Sequence, residues 1–267
     1  MVGVSTGLAL EAGATPLATV TLRTLGTLVL FGLYFAIAGV AFSMPARDIA
    51  LAVAIGVPLA LNNYLINAAF ADLPVPLVVL LFYLWPGFTA AASWALRIEP
   101  FRWRGLVGLA LAFAGVAMTL NVDFTAAQAK GVMFAAAAAL NWTVVFLLMG
   151  RFFRGRDTRT PTFYMSCTAA VVFVLACLLG GEFALPDSLR GWTGIAGMTL
   201  FYAFAMIGIF TASARYGGMR SAFWLNFEPI AAVLLSALIL GQTLAPIQLA
   251  GAALVVAALF LFRPPAT

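Results

Sequence analysis

Glu228 is the acidic residue that this sequence sets deepest in apolar surroundings, inside the run MRSAFWLNFEP from Met219 to Pro229. An ionisable group at that depth in a bilayer is expensive and usually faces a cavity or a partner. Pro229 follows it directly, removing a backbone hydrogen bond and kinking a helix, which can turn a freed carbonyl toward a solute. Arg220, Trp224 and Glu228 recur every four residues, so a helix places them on one stripe. Two roles fit Glu228. It can contact a substrate or carry a proton during transport, as burial of a carboxyl favours, or it can be a structural carboxyl bonded to a neighbouring helix.

A second set of candidates stands where FYLWP begins at Phe82. Tyr83 and Trp85 precede Pro86 there, in the middle of an apolar run rather than at its ends, where interfacial aromatic anchors belong. They line a cavity or simply pack. Walls that are aromatic on one side and acidic on the other would suit an amphipathic or cationic solute better than a simple anion. Further polar positions fall within apolar runs: Asn63 and Asn67 on one face, with Asn62 and Tyr64 beside them, then Asn141 with Trp142, and Thr199 with Tyr202. Each serves equally well as a hydrogen bond between helices or as a substrate contact. Arg23 lies about 10 Å in from the end of its helix at 1.5 Å per residue. It can snorkel to the interface or pair with a carboxyl in the bundle.

Other chemistry is excluded by what the chain lacks. There is no histidine, which removes the usual zinc sites, serine-histidine triads and histidine proton relays. Cys167 and Cys177 sit on one helix, about 15 Å apart by helical rise, too far for a disulfide. No metal, cofactor or catalytic group is expected, and the chain does not read as an enzyme.

The elements that must position these residues are membrane helices. Hydrophobic residues make up 64% of the chain and charged residues 9%, against roughly 25% charged in a soluble domain. Spans of about 20 apolar residues are expected over 16–40, 49–70, 74–95, 103–121, 131–151, 161–180, 190–213, 219–240 and 245–262. Runs such as FAAAAAL do not alternate with period two, which argues against a barrel.

The segment FYLWPGFTAAASWALRIEPF from Phe82 recurs as LNFEPIAAVLLSALILGQTL from Leu225. Pro86 then meets Pro229, Ser93 meets Ser236, Glu99 meets Gln242, and Gly108 meets Gly251 without a gap. Five spans separate the copies, so the second runs through the bilayer in the opposite direction, as in the inverted repeats of secondary transporters. The expected fold is all-α and integral to the membrane, an inverted five-plus-five repeat on a ten-helix plan. Residues 1–121 form the first repeat, 122–130 a linker, 131–262 the second repeat and 263–267 a cytoplasmic tail. Aligning Pro16 with Pro161 leaves residues 1–11 as a stub of the first helix and nine full spans. A gene-start error or a fragment explains that stub better than a genuine nine-span protein.

Eleven of the fourteen Lys and Arg residues fall on one side of this topology; Lys130 and Arg190 fall on the other and Arg23 within a span. The positive-inside rule places that basic side, and the C-terminus with it, in the cytoplasm. The run RFFRGRDTR is then a topology anchor near anionic lipid, and no nucleic-acid partner is implied. Small residues at helical spacing, Gly108, Ala112 and Gly115 and then Gly251 and Ala258, allow close helix packing and leave a homodimer possible.

The paired Pro86, Glu99 and Gly108, with Pro229, Gln242 and Gly251, resemble the EamA-type repeat of the drug/metabolite transporter superfamily, as do Arg23 within LATVTLR and the run from Met219 to Pro229. That resemblance covers nearly the whole chain. It implies ten helices around a central cavity and export of small metabolites, such as amino acids or drug-like solutes, across a bacterial inner membrane. FYLWP is similar to the amino-acid exporters of the group. Gln242 departs from the acidic residue usual in the second repeat. The function expected is secondary transport by alternating access. The substrate would meet Asn63, Asn67, Tyr83, Trp85, Asn141, Trp142, Tyr202, Trp224 and Glu228, with Glu228 the candidate for proton coupling and Pro86 and Pro229 as kinks. The alternatives are a membrane-embedded enzyme acting on a lipid or prenyl substrate and a non-transporting assembly subunit.

Overall fold

Pro16 opens the first long helix because its fixed φ and missing N–H suit the first turn. Thr15 caps it, its Oγ1 accepting from Ala18 N at 3.3 Å. The helix stops at Gly39, which takes the left-handed conformation (φ 61°) that a glycine adopts without strain. The structure is a computed structural model and describes residues 1–97, 103–119, 126–153, 156–216, 235, 238–239, 241 and 245–261.

The helices in chain order are α1 (Val2–Glu11), α2 (Pro16–Ala38), α3 (Ala46–Asp72), α4 (Val75–Phe82), α5 (Trp85–Ala95), α6 (Trp103–Thr119), α7 (Ala126–Phe152), α8 (Arg159–Leu178), α9 (Leu189–Tyr216) and α10 (Pro246–Leu261). No strand occurs among the described residues. The segments Pro16–Ala38, Ala46–Asp72, Val75–Ala92, Gln128–Phe152 and Arg159–Leu178 are long and apolar enough to cross a membrane. The ten residues of α1 extend about 15 Å at 1.5 Å per residue, half a typical hydrocarbon core. The fourth span is divided: α4 ends at Phe82, Tyr83 and Leu84 form a tight turn, and α5 starts at Trp85 with Pro86 as its second residue. Proline at that position leaves the Phe82 carbonyl without its usual helical donor.

The packing keeps its pattern when the two halves of the chain are exchanged. The third span, α3, packs on α7 and α8; the eighth, α9, packs on α1 and α2. These are the same neighbours with first and sixth, and second and seventh, traded. Two further pairs, α2 with α8 and α6 with α10, each join equivalent helices of the two halves, and α7 also packs on α4 and α5.

Close backbone approach marks two of these crossings. Where α3 crosses α8, a Cβ on Gly56 would stand 2.5 Å from Thr168 Cβ. Where α9 crosses α2, a Cβ on Gly26 would stand 2.6 Å from Thr199 Cγ2. At both crossings a glycine of the first half faces a threonine of the second. Close approach of this kind is how membrane helices pack when no hydrophobic force drives them together.

At the α6–α10 pair the obstacle is backbone. A Cβ at Gly115 would lie 2.6 Å from the Gly251 carbonyl oxygen and 2.9 Å from the Val255 backbone nitrogen. Gly115→Ala therefore has to push two backbones apart and is expected to cost about 1–3 kcal/mol. Gly150→Ala is the control, because a Cβ there meets nothing within 4 Å. Unfolding midpoints in detergent should fall for the first variant and stay level or rise for the second.

Candidate functional site

The site residues expected from sequence divide into two groups. The first lies where α4 and α5 meet α7. Tyr83, 5% exposed, is part of the core that α4 builds with Ala112, Ala135 and Val255. Its ring stands edge-on to Phe82 at 6.4 Å. Trp85, half-buried, tilts against Phe146 with centroids 5.1 Å apart. Trp142, one turn before Phe146 on α7, packs on Phe82 at 6.1 Å. A threonine pair fastens this group: Thr143 Oγ1 shares its proton between the Ala139 carbonyl of its own helix at 3.1 Å and the Trp85 carbonyl at 3.2 Å, and accepts from Thr89 Oγ1 at 3.3 Å. The Trp85 carbonyl, beside the helix break, is thus held from the neighbouring span. Asn141 reaches the other way, its Nδ2 donating to the Pro58 carbonyl on α3 at 2.6 Å.

The second group lies among α2, α3 and α9. Asn67, 1% exposed, donates from Nδ2 to the Asn63 carbonyl at 2.8 Å, and its Oδ1 lies 3.5 Å from Thr19 Oγ1, whose proton also meets the Pro16 carbonyl at 2.8 Å. Asn63 is buried on the same face of α3. Asn62, next to it, is buried with Oδ1 unbonded. Tyr202 presents its ring to Arg23, whose guanidinium carbon is 4.4 Å from the centroid. Thr199, one turn earlier on α9, bonds its own helix at the Ile195 carbonyl, 2.8 Å away. Trp224, Glu228 and Pro229 lie outside the described residues, as do Arg220, Glu99 and Gln242.

Arg23 does not snorkel. At 3% exposure it is enclosed within the chain, and among the described residues no carboxylate comes within ion-pair reach. It lies in the first third of α2, where its guanidinium is covered by the Tyr202 ring of α9.

Both ends of the bundle are closed by clasps that join one half to the other. At one face, the Thr15 N–H donates to the Ala184 carbonyl at 3.1 Å, and its hydroxyl donates to the Glu182 carbonyl at 3.0 Å. The Asp187 N–H bonds the Ala12 carbonyl at 2.9 Å. At the far end of α2, Thr160 Oγ1 donates to the Ala41 carbonyl and Tyr164 to the Phe42 carbonyl, both at 3.1 Å. Arg156 pairs with Asp48 there, and Phe35, Phe42 and Phe163 stack together. In this loop the Arg159 guanidinium holds the Asp157 carboxyl below its usual range. Thr15 and Thr160 each stand just before the proline that opens a span, Pro16 and Pro161. Equivalent threonines thus tie opposite faces.

Residues not singled out from sequence complete the picture: Phe82 and Phe146 on the aromatic group, the Thr89–Thr143 pair, and Thr27. A signal existed for the last. Thr19, Arg23 and Thr27 recur every four residues along α2, a polar stripe as regular as the one that runs through Glu228.

The sequence profile of the EamA-like transporter family matches residues 1–121 and again 129–263. Among curated proteins no match is found. A solved structure, described only as a crystal structure of a protein, superposes with a TM-score of 0.63 at 19% identity, covering 97% of this chain and 94% of that one. It supports the fold alone. With the family profile matched across both halves, and its helices packed by the same rule in each, the chain belongs to the EamA-like transporter family, multi-pass membrane transporters of the drug/metabolite superfamily.

Proposed function

We propose that the chain is a secondary transporter, working as an exporter of small amphipathic metabolites such as amino acids, by alternating access between its two halves. The observation that carries this reading is the pair of clasps. Each joins loops from opposite halves, and they sit at opposite ends of the long helix α2. Opening one while the other holds would expose a central site to one side of the membrane at a time. Residues 1–121 and 131–262 would be the two inverted units that rock against each other. The Arg-rich loop between α7 and α8 would face the cytoplasm of a bacterial cell, with the C-terminus on the same side.

In this mechanism the fourth and ninth spans are the moving elements. The fourth is already broken into α4 and α5 at Tyr83–Leu84. Trp85 starts its second half, which meets α7 through ring contacts and the hydroxyls of Thr89 and Thr143. A hinge of this kind can absorb a change in backbone angle without unpacking a whole helix. Trp85 and Trp142 would receive the apolar part of the solute. Glu228 and Trp224, equivalent in the repeat to the positions around Trp85 and Leu81, would complete the opposite wall. Glu228 would exchange the coupling proton.

Counterflow of a labelled amino-acid mixture in proteoliposomes tests this reading. Trp85→Ala is expected to lower the rate at least tenfold while the protein still inserts and purifies. Glu228→Gln is expected to remove the dependence of flux on a pH gradient while leaving exchange at equal pH. Full transport in Trp85→Ala would contradict the assigned site. An unchanged response to the gradient in Glu228→Gln would contradict proton coupling and leave a facilitator.

A further inference from the structure

Arg23 carries a charge that the described structure does not neutralise. A guanidinium stays protonated throughout the physiological range. Here it is 3% exposed, and both Nε and Nη2 lack a hydrogen-bond partner. Tyr202 covers one face of the group, an interaction that satisfies the π side of a cation and leaves its edge donors open. Thr27 lies one turn along on the same side of α2, 1% exposed, and its Oγ1 is also unbonded. A buried charge without a partner is strongly unfavourable. A buried polar group left unsatisfied calls for a ligand, a water or a change of state. Two such groups, adjacent on one helix, offer three unused donors, two on the guanidinium edge and one on the hydroxyl.

We propose that Arg23 and Thr27 form the seat for the carboxylate of the transported solute. The edge of a guanidinium presents parallel N–H donors spaced to match two carboxylate oxygens. Nε–H and Nη2–H would each donate to one oxygen, the Thr27 hydroxyl would donate to a remaining lone pair, and Tyr202 would keep the guanidinium flat against its ring. The unpaired charge makes the empty site costly and the loaded site favourable, which supplies binding energy where the solute needs it. This assignment rests on the transporter reading above and narrows its substrate class to apolar or amphipathic acids, amino acids included. It replaces the preference for cationic solutes drawn from Glu228 and the aromatic residues, because the charge that the described bundle encloses is positive.

Three probes that share one phenyl group separate the possibilities: phenylalanine, 3-phenylpropionate, which lacks the ammonium, and phenethylamine, which lacks the carboxylate. They are titrated against the purified full chain in nanodiscs, with the thermal unfolding midpoint as readout. Both acids should raise the midpoint and the amine should not. Arg23→Gln should weaken acid binding at least tenfold and erase the difference between acids and amine. Thr27→Val, isosteric and uncharged, should weaken acid binding severalfold with the unliganded midpoint level or raised, since it removes a buried hydroxyl that has no partner. It carries the test if Arg23→Gln fails to fold. The proposal is overturned if the amine stabilises as well as the acids, if no acid stabilises the wild-type protein, or if acid affinity survives in either variant. An Arg23 permanently paired with a carboxylate of the chain would give that last result. Counterflow in vesicles distinguishes the two levels: flux of phenethylamine without flux of the acids sinks the carboxylate seat and leaves transport standing, whereas no flux of any probe in wild-type vesicles counts against transport itself.

Discussion

Acyl chains offer neither donors nor acceptors, so every polar group carried into the bilayer has to be met by the protein or by what the protein binds. That constraint organises this bundle. Asn67 is met by Thr19 and the Asn63 carbonyl, Asn141 by a carbonyl on α3, and Thr143 by the Trp85 carbonyl and Thr89. Each of these joins helices or stiffens one. Against that background, the bare edge of the Arg23 guanidinium and the bare Thr27 hydroxyl, adjacent on one helix, stand apart, with Asn62 Oδ1 on α3 as the other unbonded buried atom among the described residues. The same rule that explains the bonded residues as structure marks the unbonded ones as open for a ligand.

The second organising fact is the exchange of halves. At the α3–α8 and α9–α2 crossings a glycine of the first half faces a threonine of the second. Threonines at matched positions before Pro16 and Pro161 hold opposite ends of the molecule. The likeness stops at the ion pair. Arg156 with Asp48 reinforces the Thr160 clasp, while the Thr15 clasp relies on backbone and hydroxyl bonds. The two ends are thus built alike but fastened unequally.

Much of the fold was legible in the chain because lipid imposes a simple code. Apolar runs ended by Pro, Gly or charge mark the spans within a few residues of α2, α3, α8 and α10. The paired prolines and glycines gave the repeat, and with it the family. The site was legible only in part. Asn63, Asn67 and Asn141 could be listed as polar residues at depth, but nothing in their spacing said that Asn67 and Asn141 spend their amides on backbone carbonyls. Whether a polar group is satisfied depends on what a neighbouring helix offers, and two of the helices packed on α2, α8 and α9, come from the other half of the chain. Arg23 shows this most clearly. From sequence it could snorkel or find a carboxylate; the packing of α9 against α2 denies it the surface, and among the described residues it meets an aromatic ring instead.

The central claim, that the two halves move against each other so that the clasps open in turn, is tested most directly by distances between spin labels in nanodiscs. One pair at Ser43 and Thr158 reports the face held by Thr160, and another at Glu11 and Phe183 reports the face held by Thr15. Two populations are predicted for each pair, with the fraction that lengthens at one face matching the fraction that shortens at the other when solute is added. A single fixed distance at both faces, or a lengthening at both together, would contradict the account.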